Sequence, residues 1–93
     1  MPILNEFVSE NIDLQSIYDK YPDEEFIIAD GYDSAIIGVE DSKMIIVYST
    51  KKVLSILMED EEMTYEDALE FFYYNIKGAH VGDKTPLFID DMI

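Results

Sequence analysis

Ala35-Ile36-Ile37-Gly38-Val39, the polar link Glu40-Asp41-Ser42-Lys43, and Met44-Ile45-Ile46-Val47-Tyr48 form the stretch that decides the fold class. Two runs rich in β-branched residues across a short polar link predict a β-hairpin. Neither run alternates apolar with polar residues, so the hairpin is expected to be covered on parts of both faces or to lie centrally in its sheet. Directly downstream, Ser49 or Thr50 is placed to cap a helix whose inward stripe is Val53, Leu54, Leu57 and Met58. That helix runs out at Glu59-Asp60-Glu61-Glu62. Thr64-Tyr65-Glu66-Asp67 is a capping-box variant with Met63 as the outer residue of a hydrophobic staple. It predicts a second helix from Tyr65 to about Lys77, with Ala68, Leu69, Phe72 and Ile76 inward and Gly78 as a left-handed C-cap. Gly82-Asp83-Lys84-Thr85 turns the chain into a last strand, Pro86-Leu87-Phe88-Ile89, where proline at the start costs no ladder donor.

Upstream, Leu4, Phe7 and Val8, then Leu14, Ile17, Tyr18 and Tyr21, recur at three and four, which predicts two short helices. Pro2 suits a first turn, Asp13 is placed to cap the second helix, and Tyr21-Pro22 ends it. Phe26-Ile27-Ile28-Ala29 reads as a further short strand, closed by Asp30-Gly31-Tyr32-Asp33 with a positive φ at Gly31. The expectation is one domain over 1–93, with a helical segment over 1–25 and an α+β core over 26–93. In that core a small antiparallel sheet in ββααβ order, built from 35–39, 44–48 and 86–89, carries the helices on one face.

Twenty-one Asp and Glu face six Lys, and with no Arg the formal charge is −15. That balance argues against direct nucleic-acid binding, which rests on Lys and Arg contacts to phosphate and on guanidinium forks for base readout. It also disfavours an anionic membrane surface, and points to a basic partner. At 48% hydrophobic residues the chain is too apolar for a disordered acidic tail. One core is expected, burying roughly 60 to 68% of the unfolded surface. Self-repulsion should make the fold gain stability as salt rises. The absence of cysteine removes disulfides, thiolate nucleophiles and Cys-ligated metals. The N-terminus has no signal-peptide pattern and no apolar run approaches a membrane span, so the expected compartment is the cytoplasm.

Tyr32 to Val39, the strand ending Val47-Tyr48, Met63 to Ala68 continuing through Phe72 to Asn75, Gly78-Ala79 with Val81-Gly82, and Thr85 to Phe88 resemble a family of small acidic proteins found in phages and some bacteria. The resemblance covers about two thirds of the chain. It implies a phage setting, and hence the host cytoplasm, but no assigned activity.

Among candidate sites, Glu59, Asp60, Glu61, Glu62, Glu66, Asp67 and Glu70 place seven carboxylates in twelve residues. On a helix from Tyr65, Glu66 and Glu70 lie one turn apart with Glu62 near the same line, about 5 to 6 Å between Cβ atoms. Such a row is comparable with the phosphates of a nucleic-acid strand and suits a basic groove; the plainer reading is a solvated helix start. In Phe71-Phe72-Tyr73-Tyr74, Phe72 is read as core, and Tyr73 or Tyr74 as an interface anchor or as packing against the N-terminal helices. His80 reads as a loop histidine in a local hydrogen bond, no EF-hand pattern is present, and no metal or cofactor is expected. The preferred reading is a non-enzymatic protein that engages a basic, nucleic-acid-binding protein partner through Glu59 to Glu70 with Tyr73 and Tyr74, as an inhibitor or nucleic-acid mimic. A second is a module that self-assembles, as a homodimer or in a larger complex, with acidity serving solubility. A third is a small enzyme using carboxylates or His80.

Overall fold

A computed structural model of the protein describes residues 14–91. The first expected helix, Pro2 and the capping position Asp13 lie outside the described residues. Helix α1 (Leu14–Lys20) buries Ile17 and stops before Pro22, with the Tyr21 N–H closing on the Ile17 carbonyl at 3.0 Å. A single 3₁₀ turn at Asp33–Ala35 leads into β1 (Ile36–Glu40), which pairs antiparallel with β2 (Ile45–Ser49). The hairpin therefore forms where its β-branched runs place it. An irregularity between Ile36 and Gly38 shifts its register, and the Glu40 carboxylate ties the link by accepting from Ser42 Oγ and the Lys43 N–H.

Ser49 is the N-cap of α2 (Thr50–Asp60), its Oγ accepting the Lys52 N–H at 3.1 Å. Thr64 caps α3 (Tyr65–Phe71) in the same way, Oγ1 accepting from Asp67 N–H at 3.2 Å. Between the two helices Glu62 adopts φ 58°, and the Met63 N–H returns to the Leu57 carbonyl at 3.3 Å. Strand β3 (Leu87–Ile89) completes the sheet in the order β1-β2-β3.

The direction of β3 corrects the expected topology. It pairs with β2 in parallel, Val47 opposite Leu87 and Ser49 opposite Ile89, so the sheet is mixed rather than antiparallel. Parallel neighbours need a long crossover, and α2, α3 and the segment from Gly78 to Pro86 supply one. Phe26–Ala29 is not a strand: it runs without ladder partners, its Ala29 N–H donating instead to the Tyr48 phenol at 2.6 Å. The second long helix is α-helical only to Phe71, and Phe72–Lys77 winds as a π-helix. Gly78 ends it in the right-handed region, φ −75°, not as a left-handed cap. Its missing side chain has another reason, since a Cβ there would lie 3.1 Å from the Tyr73 carbonyl oxygen.

The core lies between the sheet face of Ile46 and Tyr48 and the helices, with Ile36, Val53, Leu57, Ala68 and Phe72 all at or near zero exposure. Met58, expected in the stripe, is 39% exposed at the rim. Phe88 bridges the layers, stacking on Tyr48 at 5.2 Å and meeting Phe72 edge-on at 5.4 Å. On the opposite sheet face Leu87 and Ile89 of the edge strand stay exposed.

Candidate functional site

The acidic run occupies the end of α2, the connecting turn and the outer face of α3. Glu59 and Asp60 lie in the last turn of α2, Glu61 is its C-cap, Glu62 makes the left-handed turn, and Glu66, Asp67 and Glu70 project from α3. All seven are exposed, and none forms an ion pair among the described residues, where Lys84 with Glu24 is the one pair found. Glu66 and Asp67 fall in the first turn of α3, which also suits their charge to the helix dipole. Glu62 stands in the turn ahead of the Thr64 cap, and Glu66 and Glu70 follow one turn apart on α3.

Tyr73 and Tyr74 are both exposed, at 51% and 79%. They differ in surroundings. Lys77 Nζ sits 5.2 Å above the Tyr73 ring, which also meets Phe72 edge-on, whereas Tyr74 lines a concavity with Met63, Asp67, Glu70, Phe71 and Asn75. The structure thus gathers Asp67, Glu70 and Tyr74 on one shelf, while Glu59 and Asp60 remain on α2.

Asn75 also lines a second hollow, an apolar cleft of about 250 Å³ walled by Ile27–Asp30 and Tyr32, by Ile76, Ala79 and Val81, and by Thr85, Pro86 and Phe88. Each wall is pinned. Ala29 is held by Tyr48 and by a turn in which Gly31 (φ 95°) lets the Tyr32 N–H reach the Ala29 carbonyl at 3.1 Å. Thr85 Oγ1 accepts from the Val81 N–H at 2.9 Å and donates to the Gly82 carbonyl at 2.7 Å, and Lys84 Nζ donates to the Glu25 carbonyl at 2.7 Å. Burial, and then the Glu61 carboxylate, push the Tyr32 phenol above its ordinary pKa, placing the acidic run within electrostatic reach of this wall.

His80 is exposed, its Nδ1 3.4 Å from Thr85 Oγ1, in keeping with a local loop contact. Among the described residues no three His, Asp or Glu side chains are arranged to hold a metal ion, and no helix is long and apolar enough to cross a membrane. The cleft escaped sequence reasoning because three separated segments build it. Reading Phe26–Ala29 as a strand also hid it, because Ile27 and Ile28 line the cleft from a segment with no ladder partners. Comparison with protein-family models, curated proteins and solved structures found no match to the chain.

Proposed function

We propose that this chain is a non-enzymatic acidic binding protein that engages a basic, nucleic-acid-binding protein through the surface from Glu59 to Glu70. One observation carries the reading: seven exposed carboxylates that form no ion pair among the described residues, on a chain of formal charge −15. A solvated surface normally intersperses both signs of charge, and an uncompensated field of one sign steers an oppositely charged partner and speeds encounter. The mechanism is steric and electrostatic occupation of the partner's nucleic-acid groove, with carboxylates standing where phosphates would bind and Tyr74 as the more exposed aromatic anchor. In a phage, such a protein would inhibit a host nucleic-acid enzyme.

Affinity capture from host-cell lysate tests this. The wild type is expected to retain a DNA- or RNA-binding protein that added nucleic acid releases. Retention of a partner indifferent to nucleic acid sinks the mimicry. A second reading, self-assembly, is favoured by the exposed Leu87 and Ile89 on the edge strand; a sedimentation mass above the monomer that persists at high salt would support it.

A further inference from the structure

We infer that the apolar cleft between Ile27–Tyr32, Ile76–Val81 and Thr85–Phe88 is the anchor pocket for an apolar side chain carried on a basic segment of the partner protein, whose flanking Lys or Arg residues lie on the shelf of Asp67 and Glu70. This rests on the reading of the chain as a binder of a basic partner and adds where, and by what second interaction, that partner is held.

A cleft of about 250 Å³ has room for one or two side chains and lies at the small end of the range, about 300–1,000 Å³, common for ligand pockets. Its lining is mostly aliphatic and aromatic, with Asn75, Thr85 and the Tyr32 phenol as the neutral polar groups and Asp30 as the charged one. An aliphatic or aromatic residue fits that lining.

Charge selects the flanking residues. No lysine lines either the cleft or the shelf. The cleft has Asp30 at one side, and the shelf beyond Asn75 presents Asp67 and Glu70. Lys84 stands at the rim shared with Ile27 and Val81, whereas the Asn75 side opens onto the carboxylates of Asp67 and Glu70, so the segment bearing the anchor is selected for cations on the shelf side. Asn75 belongs to both hollows and connects them. It stands on the π-helical turn, a form of helix that recurs at functional sites. The pinned walls make the pocket preformed, which lowers the ordering cost of binding.

The test uses two synthetic lysine-rich peptides of equal charge, one with a central leucine flanked by lysines at helical spacing and one with serine in its place, titrated into the full chain. Binding is followed by backbone amide shifts. The leucine peptide is expected to bind roughly ten- to a hundredfold more tightly and to shift the amides of Ile76, Ala79, Val81 and Phe88 as well as Asp67 and Glu70. In Ala79→Trp, which fills the cleft from an exposed position, the leucine advantage is expected to vanish while salt-sensitive binding of both peptides persists. Equal affinity of the two peptides for the wild type, with shifts confined to Asp67 and Glu70, overturns the anchor pocket and leaves the electrostatic reading standing. Absence of binding by either peptide at low salt overturns the pocket too, and the lysate capture above then judges the electrostatic reading separately.

Discussion

The Tyr48 phenol oxygen accepts the Ala29 backbone N–H at 2.6 Å, joining the central strand to a segment that has no strand of its own. Tyr48 is fully buried, and burial holds its phenol above the ordinary tyrosine pKa. Tyr48→Phe keeps the ring stacked on Phe88 but leaves the half-buried Ala29 N–H without a partner. The expected loss is about 1–3 kcal/mol in urea unfolding, with faster hydrogen exchange at Ala29. Unchanged stability and exchange would show that the bond does not hold this wall.

Asp91 closes the chain onto Ser49, whose Oγ–H reaches both carboxylate oxygens at 2.7 and 2.8 Å while the same Oγ caps α2. That hydrogen bond, foremost, holds the Asp91 carboxyl below its ordinary pKa. A carboxyl lowered by folding stabilises the fold above the unfolded value, about 3.9, and the benefit disappears as pH falls through the folded value. The stability gap between wild type and Asp91→Asn should therefore be widest at neutral pH and shrink below about pH 4. A gap that grows on acidification contradicts the assignment.

Glu62 is a non-glycine residue in the left-handed region, φ 58°, where side chains cost about 1–2 kcal/mol. Glu62→Gly relieves that strain and removes one carboxylate from a crowded run, at the cost of a freer unfolded chain. A net gain of about 0.5–1 kcal/mol is expected in thermal or urea unfolding. A loss would mean that the side chain makes a compensating interaction.

With seven exposed carboxylates in one stretch and no ion pair to any of them among the described residues, screening should stabilise the fold. The melting temperature is expected to rise between about 10 mM and about 200 mM NaCl as the Debye length falls from about 30 Å to below 10 Å. A flat or falling curve would show that the carboxylates do not repel one another appreciably.

Local chemistry explains what the sequence disclosed. The hairpin of 36–40 with 45–49 and the caps at Ser49 and Thr64 depend on residues within a few positions of one another, so spacing alone places them. The parallel pairing of Leu87–Ile89 with Val47–Ser49 depends on how two helices return the chain, which no local signal states. Likewise, apolar periodicity carries Phe72 into the core but does not distinguish an α from a π turn. Spacing marks Gly78 as a helix end, yet the reason for glycine there is space beside the Tyr73 carbonyl rather than a positive φ. For the site, the exposure of the acidic run follows from composition, whereas the exposure of Tyr74 is supplied by the fold, since the sequence leaves it open between an outward position and packing on the N-terminal helices. The cleft depends on Tyr48 and Lys84 holding segments nineteen and fifty-nine residues apart in sequence, and only the fold assembles it.

The most direct test of the acidic face separates position from amount of charge. Partner capture is compared for the wild type, for Glu62→Gln with Glu66→Gln and Glu70→Gln, and for Asp19→Asn with Asp41→Asn and Asp83→Asn, two variants that each raise the formal charge of −15 by three. If the surface from Glu59 to Glu70 engages the partner, the first variant loses the nucleic-acid-binding protein and the second retains it. Equal retention by all three, or equal loss by both variants, contradicts a dedicated acidic face.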